Sequence, residues 1–258
     1  EQTLMGLKDS LMHAASGLFF ERPGRGKNLD EWRAALTASG AAIDLSGLGL
    51  DTIEETDEGF SIGAMVTLRQ LELHPGLAAY TDGAVRESVL HIVGVQLRNL
   101  ATVGGSIYSR FGFSDVLTMF LALNASVELY KGGVVPLAEY AQRPYDRDIL
   151  VRVLVPKENA RFVYQSVRNS QTDFPVLTCA AAKLADGSIR AAIGARPGKA
   201  VLYTAAPEAG ETAEEFAARF AAEVKADIKT ESNLRGGAEY RRHLAGVLTK
   251  RAVCRLEG

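Results

Sequence analysis

The stretch LRNLATVGGSI, residues 97–107, decides how this chain is interpreted, and an apolar segment beginning near Asp115 follows it. In this stretch two adjacent glycines stand between the hydroxyl-bearing residues Thr102 and Ser106. Because glycine has no Cβ, such a pair allows positive φ angles and lets a ligand lie against the main chain. The pattern favours a turn in which backbone N–H groups and two hydroxyls converge on an anion such as a pyrophosphate.

A purely structural interpretation of the same stretch stays open. The glycines would then only permit a tight turn at the end of a strand, with no ligand. Asp115 has a similar alternative, because an acidic residue in the first turn of a helix suits the helix dipole and caps free N–H groups.

The bulk composition is that of an ordinary globular protein. The chain has 258 residues, of which 47% are hydrophobic and 23% charged, so it can bury a sizeable core. Its net charge is −2, which gives no electrostatic footprint for nucleic acid.

The cysteine content bounds the redox chemistry. Cys179 and Cys254 are far apart and each has apolar neighbours, which predicts two buried thiols in a reducing compartment. Without a Cys/His cluster, the chain itself cannot hold an iron–sulfur cluster or a structural zinc.

No apolar run is long enough for a membrane helix, and Lys8 and Asp9 make the N-terminal segment a poor signal peptide. We expect a cytoplasmic protein that does not bind a membrane.

Hydrophobic periodicity predicts an α+β protein in two domains. The first domain, residues 1–157, is expected to contain early helices, strands at 42–45 and 59–66, helices at 68–73, 83–92 and 116–123, a hairpin at 127–137 and a strand at 149–155. The second, residues 158–258, is expected to contain three strands, at 162–164, 178–184 and 189–193, and then two helices, at 212–226 and 239–251. Arg241, Arg242 and Arg251 predict a basic face on the last helix.

Several motifs in this order resemble the FAD-binding medium subunit of molybdenum hydroxylases, the family of xanthine dehydrogenase and carbon monoxide dehydrogenase flavoproteins. Arg98-Asn99 precedes Thr-Val-Gly-Gly-Ser-Ile, and Ser114-Asp115 leads into the apolar helix. Ser106 replaces the asparagine that is usual in the family. The resemblance covers roughly residues 42–253 and implies a two-part FAD-binding domain, followed by a smaller C-terminal domain with an antiparallel sheet and helices.

The resemblance also implies cofactor contacts. The residues that would line the FAD diphosphate are Thr102, Val103, Gly104, Gly105 and Ser106. Asp115 would accept a hydrogen bond from a ribitol or ribose hydroxyl, and Leu150 would offer a main-chain contact near the flavin ring. Arg168 is the candidate cation beside the flavin, where it would favour the anionic reduced form. A solvated arginine beside Asp173 is the alternative for this residue.

The family's division of labour implies the function and the partners. A large partner subunit would hold the molybdenum cofactor, and a small partner subunit would hold the 2Fe–2S clusters. FAD in this chain would receive the electrons and pass them to NAD or another acceptor. No residue of this chain is expected to be catalytic in the sense of acid–base chemistry.

One departure from the family pattern keeps two other functions open. The family normally opens with a second Gly-Gly phosphate loop, and the nearest candidate here, residues 14–18 (AASGL), has one glycine and no acidic residue. The chain could therefore be a degenerate scaffold subunit without flavin. A stand-alone FAD oxidoreductase is the third hypothesis.

Overall fold

The computed structural model describes residues 45, 47–145 and 148–258. Its first sheet has the strand order β1-β2-β5-β3-β4, and all pairs are antiparallel. The bounds of these strands are β1 Ile53–Glu55, β2 Gly59–Gly63, β3 Ser126–Leu129, β4 Gly133–Pro136 and β5 Leu150–Pro156.

Most helices of the first half lie between β2 and β3. They are α1 Leu68–Leu73, α2 Pro75–Tyr80, α3 Ala84–Leu90, α4 Val95–Arg98, α5 Val103–Tyr108 and α6 Asp115–Ala122, and α7 Leu137–Gln142 follows β4. Every residue of α6 is buried, as expected for a helix that is apolar nearly all round. Thr67 caps α1 in a capping box with Gln70, so the helix begins where the sequence predicts.

The second half forms a separate antiparallel sheet with the order β6-β7-β8-β9. Its elements are β6 Ala160–Arg168, β7 Pro175–Leu184, β8 Ile189–Gly194, β9 Val201–Ala205, α8 Ala213–Asp227 and α9 Ala238–Glu257. The two long helices pack against each other, α9 packs over β7, and Phe216 and Phe220 of α8 lie in this second core. The predicted α+β fold is confirmed.

Several predicted elements need correction. The sequence missed β9, whose residues alternate between half-buried and exposed, and it ended α9 six residues early. It also assigned a turn to residues 102–106, whereas the structure begins α5 there. The elements predicted before residue 45, including the candidate loop at 14–18, lie outside the described residues.

Two side chains are placed differently from the prediction. Cys179 is buried but Cys254 is exposed. Arg241 does not belong to an exposed basic face: it is fully buried, and it donates to the carbonyls of Val176, Glu231 and Gly236 and to Asn233 Oδ1. Three backbone carbonyls and one side-chain amide oxygen thus accept hydrogen bonds from this buried guanidinium. Within the described residues, no helix is long and apolar enough to cross a membrane.

Candidate functional site

A narrow cleft with a cavity volume of about 70 Å³ brings several of the predicted site residues together. One wall is apolar, with Leu68, Ile92 and Leu97 among its side chains. The other is polar and includes the residues Ser106, Ser109, Ser114, Asp115 and Arg168. A cleft with one apolar wall and a few converging polar groups is typical of a site for a cofactor or other small molecule.

The Gly-Gly segment has a different backbone geometry from the predicted turn. Thr102 is the N-cap of α5, and its Oγ1 accepts a hydrogen bond from Gly105 N at 3.2 Å. The two glycines lie in this right-handed helix and are absent from the positive-φ residues. The N–H groups of Gly104 and Ser106 donate to the carbonyls of Ala64 and Thr102. The amides expected to point at a ligand are therefore already hydrogen-bonded within the chain.

Close packing explains the first glycine. A Cβ added to Gly104 would lie 2.6 Å from both Ala64 Cβ and the Ala64 carbonyl oxygen. Glycine is needed here so that α5 can approach the segment after β2, and the Val103 N–H donates to the Val66 carbonyl in the same contact. The structural alternative therefore accounts for Gly104.

Ser106 faces the cleft, and its neighbours fix its position. Its Oγ donates to the Thr102 carbonyl at 3.0 Å, and its own carbonyl accepts from Ser114 Oγ, also at 3.0 Å. Ser114 is in turn the N-cap of α6 and accepts from Leu117 N. The N-terminal ends of α5 and α6 are thus joined at the polar wall of the cleft.

Asp115 forms a buried ion pair with Arg168 in the lining of the cleft. Its Oδ1 accepts from the Arg168 guanidinium at 2.5 Å and from the Tyr164 hydroxyl. Burial raises the pKa of Asp115 above its usual range, although the adjacent Arg168 charge opposes the shift. Burial and the Asp115 charge also raise the pKa of Tyr164 well above its usual value, so the phenol remains a proton donor to the carboxylate.

Arg168 is neither solvated nor an isolated cation. Its side chain is 8% exposed, and it donates to Asp115 and to the Asp173 carbonyl. The Nε atom is buried and has no hydrogen-bond partner. A buried donor of this kind costs free energy unless an acceptor atom bonds to it. A ligand that placed an acceptor atom beside this Nε would therefore be stabilised.

Leu150 does not belong to the cleft. It is buried at the start of β5, where it pairs with Leu129, and it is not among the lining residues. Of the predicted site residues, the cleft thus unites Ser106, Asp115 and Arg168. The others do not line it: Thr102, Val103, Gly104, Gly105 and Leu150.

The sequence analysis missed an aromatic cluster at the mouth of the cleft. Phe111 stacks on Phe113 with ring centroids 5.0 Å apart, and Phe113 contacts Phe174 at 4.4 Å. The guanidinium of Arg235 lies 4.9 Å from the centroid of the Phe174 ring and pairs with Asp173. The two phenylalanines of the loop Phe111-Gly112-Phe113 are the sequence feature that could have predicted this cluster, since loop aromatics with few apolar neighbours often border a site.

Comparison with known families accounts for this architecture. The family model for the FAD binding domain in molybdopterin dehydrogenase matches residues 24–158, which is more than half of the chain. The chain belongs to this family. The model for the CO dehydrogenase flavoprotein C-terminal domain matches residues 162–256, so both parts of this flavoprotein type follow each other in the expected order.

Individual relatives agree with the family assignment. The carbon monoxide dehydrogenase medium chain of Afipia carboxidovorans is 30% identical over 231 residues, which cover 82% of this chain and 79% of the relative. The uncharacterized protein YgfM of Escherichia coli K12 is 28% identical over 207 residues, covering 80% and 76%. The resemblance deduced from the motifs is confirmed, and FAD is the cofactor of the matched domain.

Solved structures show the same fold. Reconstituted CO dehydrogenase from Oligotropha carboxidovorans superposes with a TM-score of 0.74 at 24% identity, over 84% of this chain and 82% of that chain. Quinoline 2-oxidoreductase from Pseudomonas putida 86 gives a TM-score of 0.71 at 21% identity, over 84% and 81%.

Proposed function

We propose that this chain is the FAD-carrying electron-transfer subunit of a molybdenum hydroxylase complex. The observation that carries the proposal is the match of both flavoprotein domains in tandem. The structure adds a cleft whose polar lining residues include Ser106, Asp115 and Arg168. When bound, FAD supplies the ability to take up electrons singly and release them as a pair.

The residues of the cleft fit such a cofactor, because the buried Nε of Arg168 has no hydrogen-bond partner within the chain and can donate to an acceptor atom of the cofactor. We assign the diphosphate to the segment Thr102, Val103, Gly104, Gly105 and Ser106. Because its amides are bonded within the chain and the Ser106 hydroxyl already donates to the Thr102 carbonyl, the Thr102 hydroxyl is the group we expect to donate. The apolar wall beside Ile92 and Leu97 suits a planar ring and excludes water from it.

Asp115 and Arg168 act as a pair in this proposal. The carboxylate accepts from a sugar or ribityl hydroxyl, and Arg168 donates to the cofactor from Nε. Since Asp115 neutralises Arg168, we expect the pair to position the cofactor more than to place a net positive charge beside it. For Leu150 we retain a main-chain contact near the flavin ring, although it does not line the cleft.

The partner assignment rests on the similarity to the medium chain of carbon monoxide dehydrogenase. We propose that the 2Fe–2S clusters lie in a small partner subunit and the molybdenum cofactor in a large one. The two cysteines of this chain agree with that division, since a 2Fe–2S cluster takes four ligands. NAD is one candidate acceptor. We also propose a cytoplasmic location, in keeping with unpaired cysteines.

A domain boundary near residue 157, between the two sheets, is a further part of the proposal.

Flavin content tests the proposal. The purified chain should show the visible absorbance of oxidised flavin and should contain close to one FAD per chain. Gly105→Val should lose the flavin, because a branched side chain would occupy the space of the diphosphate. The control is Gly237→Val, whose position has open space around it, and it should keep the flavin.

A milder variant, Ser106→Ala, guards against misfolding of Gly105→Val and should weaken FAD binding while circular dichroism stays unchanged. A colourless chain that does not take up added FAD would contradict the proposal and favour the scaffold function. A flavin-containing chain that never associates with molybdenum or 2Fe–2S subunits would favour the stand-alone oxidoreductase.

A further inference from the structure

A second, larger groove of about 970 Å³ runs along the outer edge of β6. β6 is the edge strand of the second sheet, and among the described strands it pairs only with β7. Eight successive residues from Arg161 to Arg168, with Ala160 before them, line the groove. Since lining residues come from both faces of the strand, the groove follows its free edge, where unpaired N–H and C=O groups can bind another extended chain.

Two helices form the walls of this groove. Arg86 comes from α3 on one side, and Leu248, Arg251 and Arg255 come from α9 on the other. Nine strand residues span about 30 Å at the usual rise of ~3.3 Å per residue. The groove is therefore long enough for an added strand of ordinary length.

The groove is strongly basic. Its lining includes five arginines, of which Arg168 is paired with Asp115, and only two carboxylates, Asp82 and Glu87. Arg86, Arg251 and Arg255 are exposed and have no carboxylate partner among the described residues. The whole chain has a net charge of −2, so this positive charge is a local property of the groove.

A side chain in the floor of the groove also lacks a partner. Gln165 lies in the middle of β6, and its Nε2 is buried without a hydrogen-bond acceptor. Leaving such a donor unsatisfied costs free energy. An occupant that supplies an oxygen at this point would remove that cost.

We propose that this groove binds an extended acidic segment of a partner protein by β-strand addition. The segment continues the second sheet beside β6, and main-chain hydrogen bonds to the strand edge provide the affinity. Its carboxylates face the arginines of α3 and α9, and an oxygen accepts from Gln165. His91 and Arg168 line both the groove and the cofactor cleft, so the bound segment ends beside the cleft.

Peptide binding to the full chain tests this proposal. The probe is a short synthetic peptide of alternating Glu and Val, and the control probe alternates Lys and Val. The acidic peptide should bind, and hydrogen–deuterium exchange should show new protection of amides in residues 160–168. Binding should weaken about tenfold in the double variant Arg251→Glu/Arg255→Glu, a loss of about 1.4 kcal/mol.

The matched control variant is Arg242→Glu, since Arg242 is exposed on the same helix but does not line the groove; it should bind the peptide like the parent chain. Failure of the acidic peptide to bind, equal binding of the Lys–Val peptide, or binding without protection of β6 would each overturn the proposal. A short DNA duplex that binds the arginines when the acidic peptide does not would identify a polyanion site instead. The inference does not rest on the flavin assignment, because FAD content is measured separately in every variant and is expected to stay unchanged.

Discussion

Gly104 belongs to a motif that predicts contact with a ligand, but in the structure this glycine is needed for packing. The sequence pattern predicted that both glycines free the backbone for an anion. In the structure, Gly104 lies in α5 and lets that helix touch the Ala64 backbone. The glycine itself was visible in the sequence, but the physical reason for a glycine at this position is a contact with Ala64, which lies 40 positions away in the chain.

Gly104→Ala should destabilise the protein by about 1–3 kcal/mol, since a Cβ would press against a backbone oxygen that cannot move freely. Gly237→Ala, with open space around it, should cost less than about 1 kcal/mol. Urea unfolding of both variants measures the difference. Equal stabilities would mean that Gly104 does not have a packing role.

Glu72 and Arg98 form a buried ion pair that no cofactor motif explains. Arg98 Nε donates to Glu72 at 2.8 Å, and Arg69 contacts the other carboxylate oxygen. Burial favours the neutral acid, but the hydrogen bonds and charges of Arg98 and Arg69 prevail and lower the pKa of Glu72. Arg98, which the sequence marked as part of the family motif, thus has a structural partner in α1.

Glu72→Gln should reduce the free energy of unfolding by about 3 kcal/mol at pH 7, because it leaves Arg98 buried without a counter-charge. The lowered pKa means that the ion pair stabilises the protein above the ordinary value of 4.5 and that this contribution is lost as pH falls below it. The difference between parent and variant should therefore shrink near pH 3. Glu87→Gln, at a half-exposed pair with His91, should have almost no effect at either pH.

At the scale of elements, local capping signals were reliable guides to where helices begin. Thr67, Ser114 and Thr212 each accept a hydrogen bond from the first turn of the helix that follows them. The end of α9 was predicted less well, because its last turns are held by packing against β6 and β7. Tertiary contacts of that kind leave no local signal at the helix end.

Thr212→Ala should destabilise the protein by about 1 kcal/mol, since it removes the cap of α8 and its reciprocal bond with Glu215. Glu214→Gln is the control: it lies in the same first turn, but its side chain makes none of the capping bonds. Thermal unfolding followed by circular dichroism should show a lower Tm for Thr212→Ala only. Identical melting curves would contradict the capping role.

At the scale of the whole molecule, polar contacts join helix α6 to the second sheet beside the cleft. The pair Asp115–Arg168 links α6 to β6, and the hydroxyls of Thr118 and Thr178 meet at 3.1 Å between α6 and β7. Arg190 of β8 donates to the Ala122 carbonyl at the end of α6. The cleft is thus a product of how α6 sits on the second sheet.

Arg168→Met should destabilise the protein by about 3 kcal/mol near neutral pH, because Asp115 would stay buried without its cation. The pKa of Asp115 is already raised by burial and should rise further in this variant. A raised folded-state pKa gives stability that is present at low pH and lost as pH rises through it. The cost of the substitution should therefore be larger at pH 8 than at pH 4.

Urea unfolding at both pH values, with flavin content matched between the proteins, measures this dependence. Arg235→Met, which removes a partly exposed partner of Asp173, should cost less than about 1 kcal/mol and should show no such trend. A cost for Arg168→Met that does not change with pH would contradict the assigned role of Asp115.

The sequence by itself determined the α+β class, the order of the family motifs, most strands and the starts of the helices, because hydrophobic period and capping residues act over a few neighbouring positions. Only the tertiary structure decided that the Gly-Gly segment is a helix with its amides engaged, that Asp115 and Arg168 share a buried bond, and that β6 leaves its edge open between two arginine-bearing helices. Each of these depends on contacts between residues distant in the chain, and such contacts are set by how the sheets and helices pack.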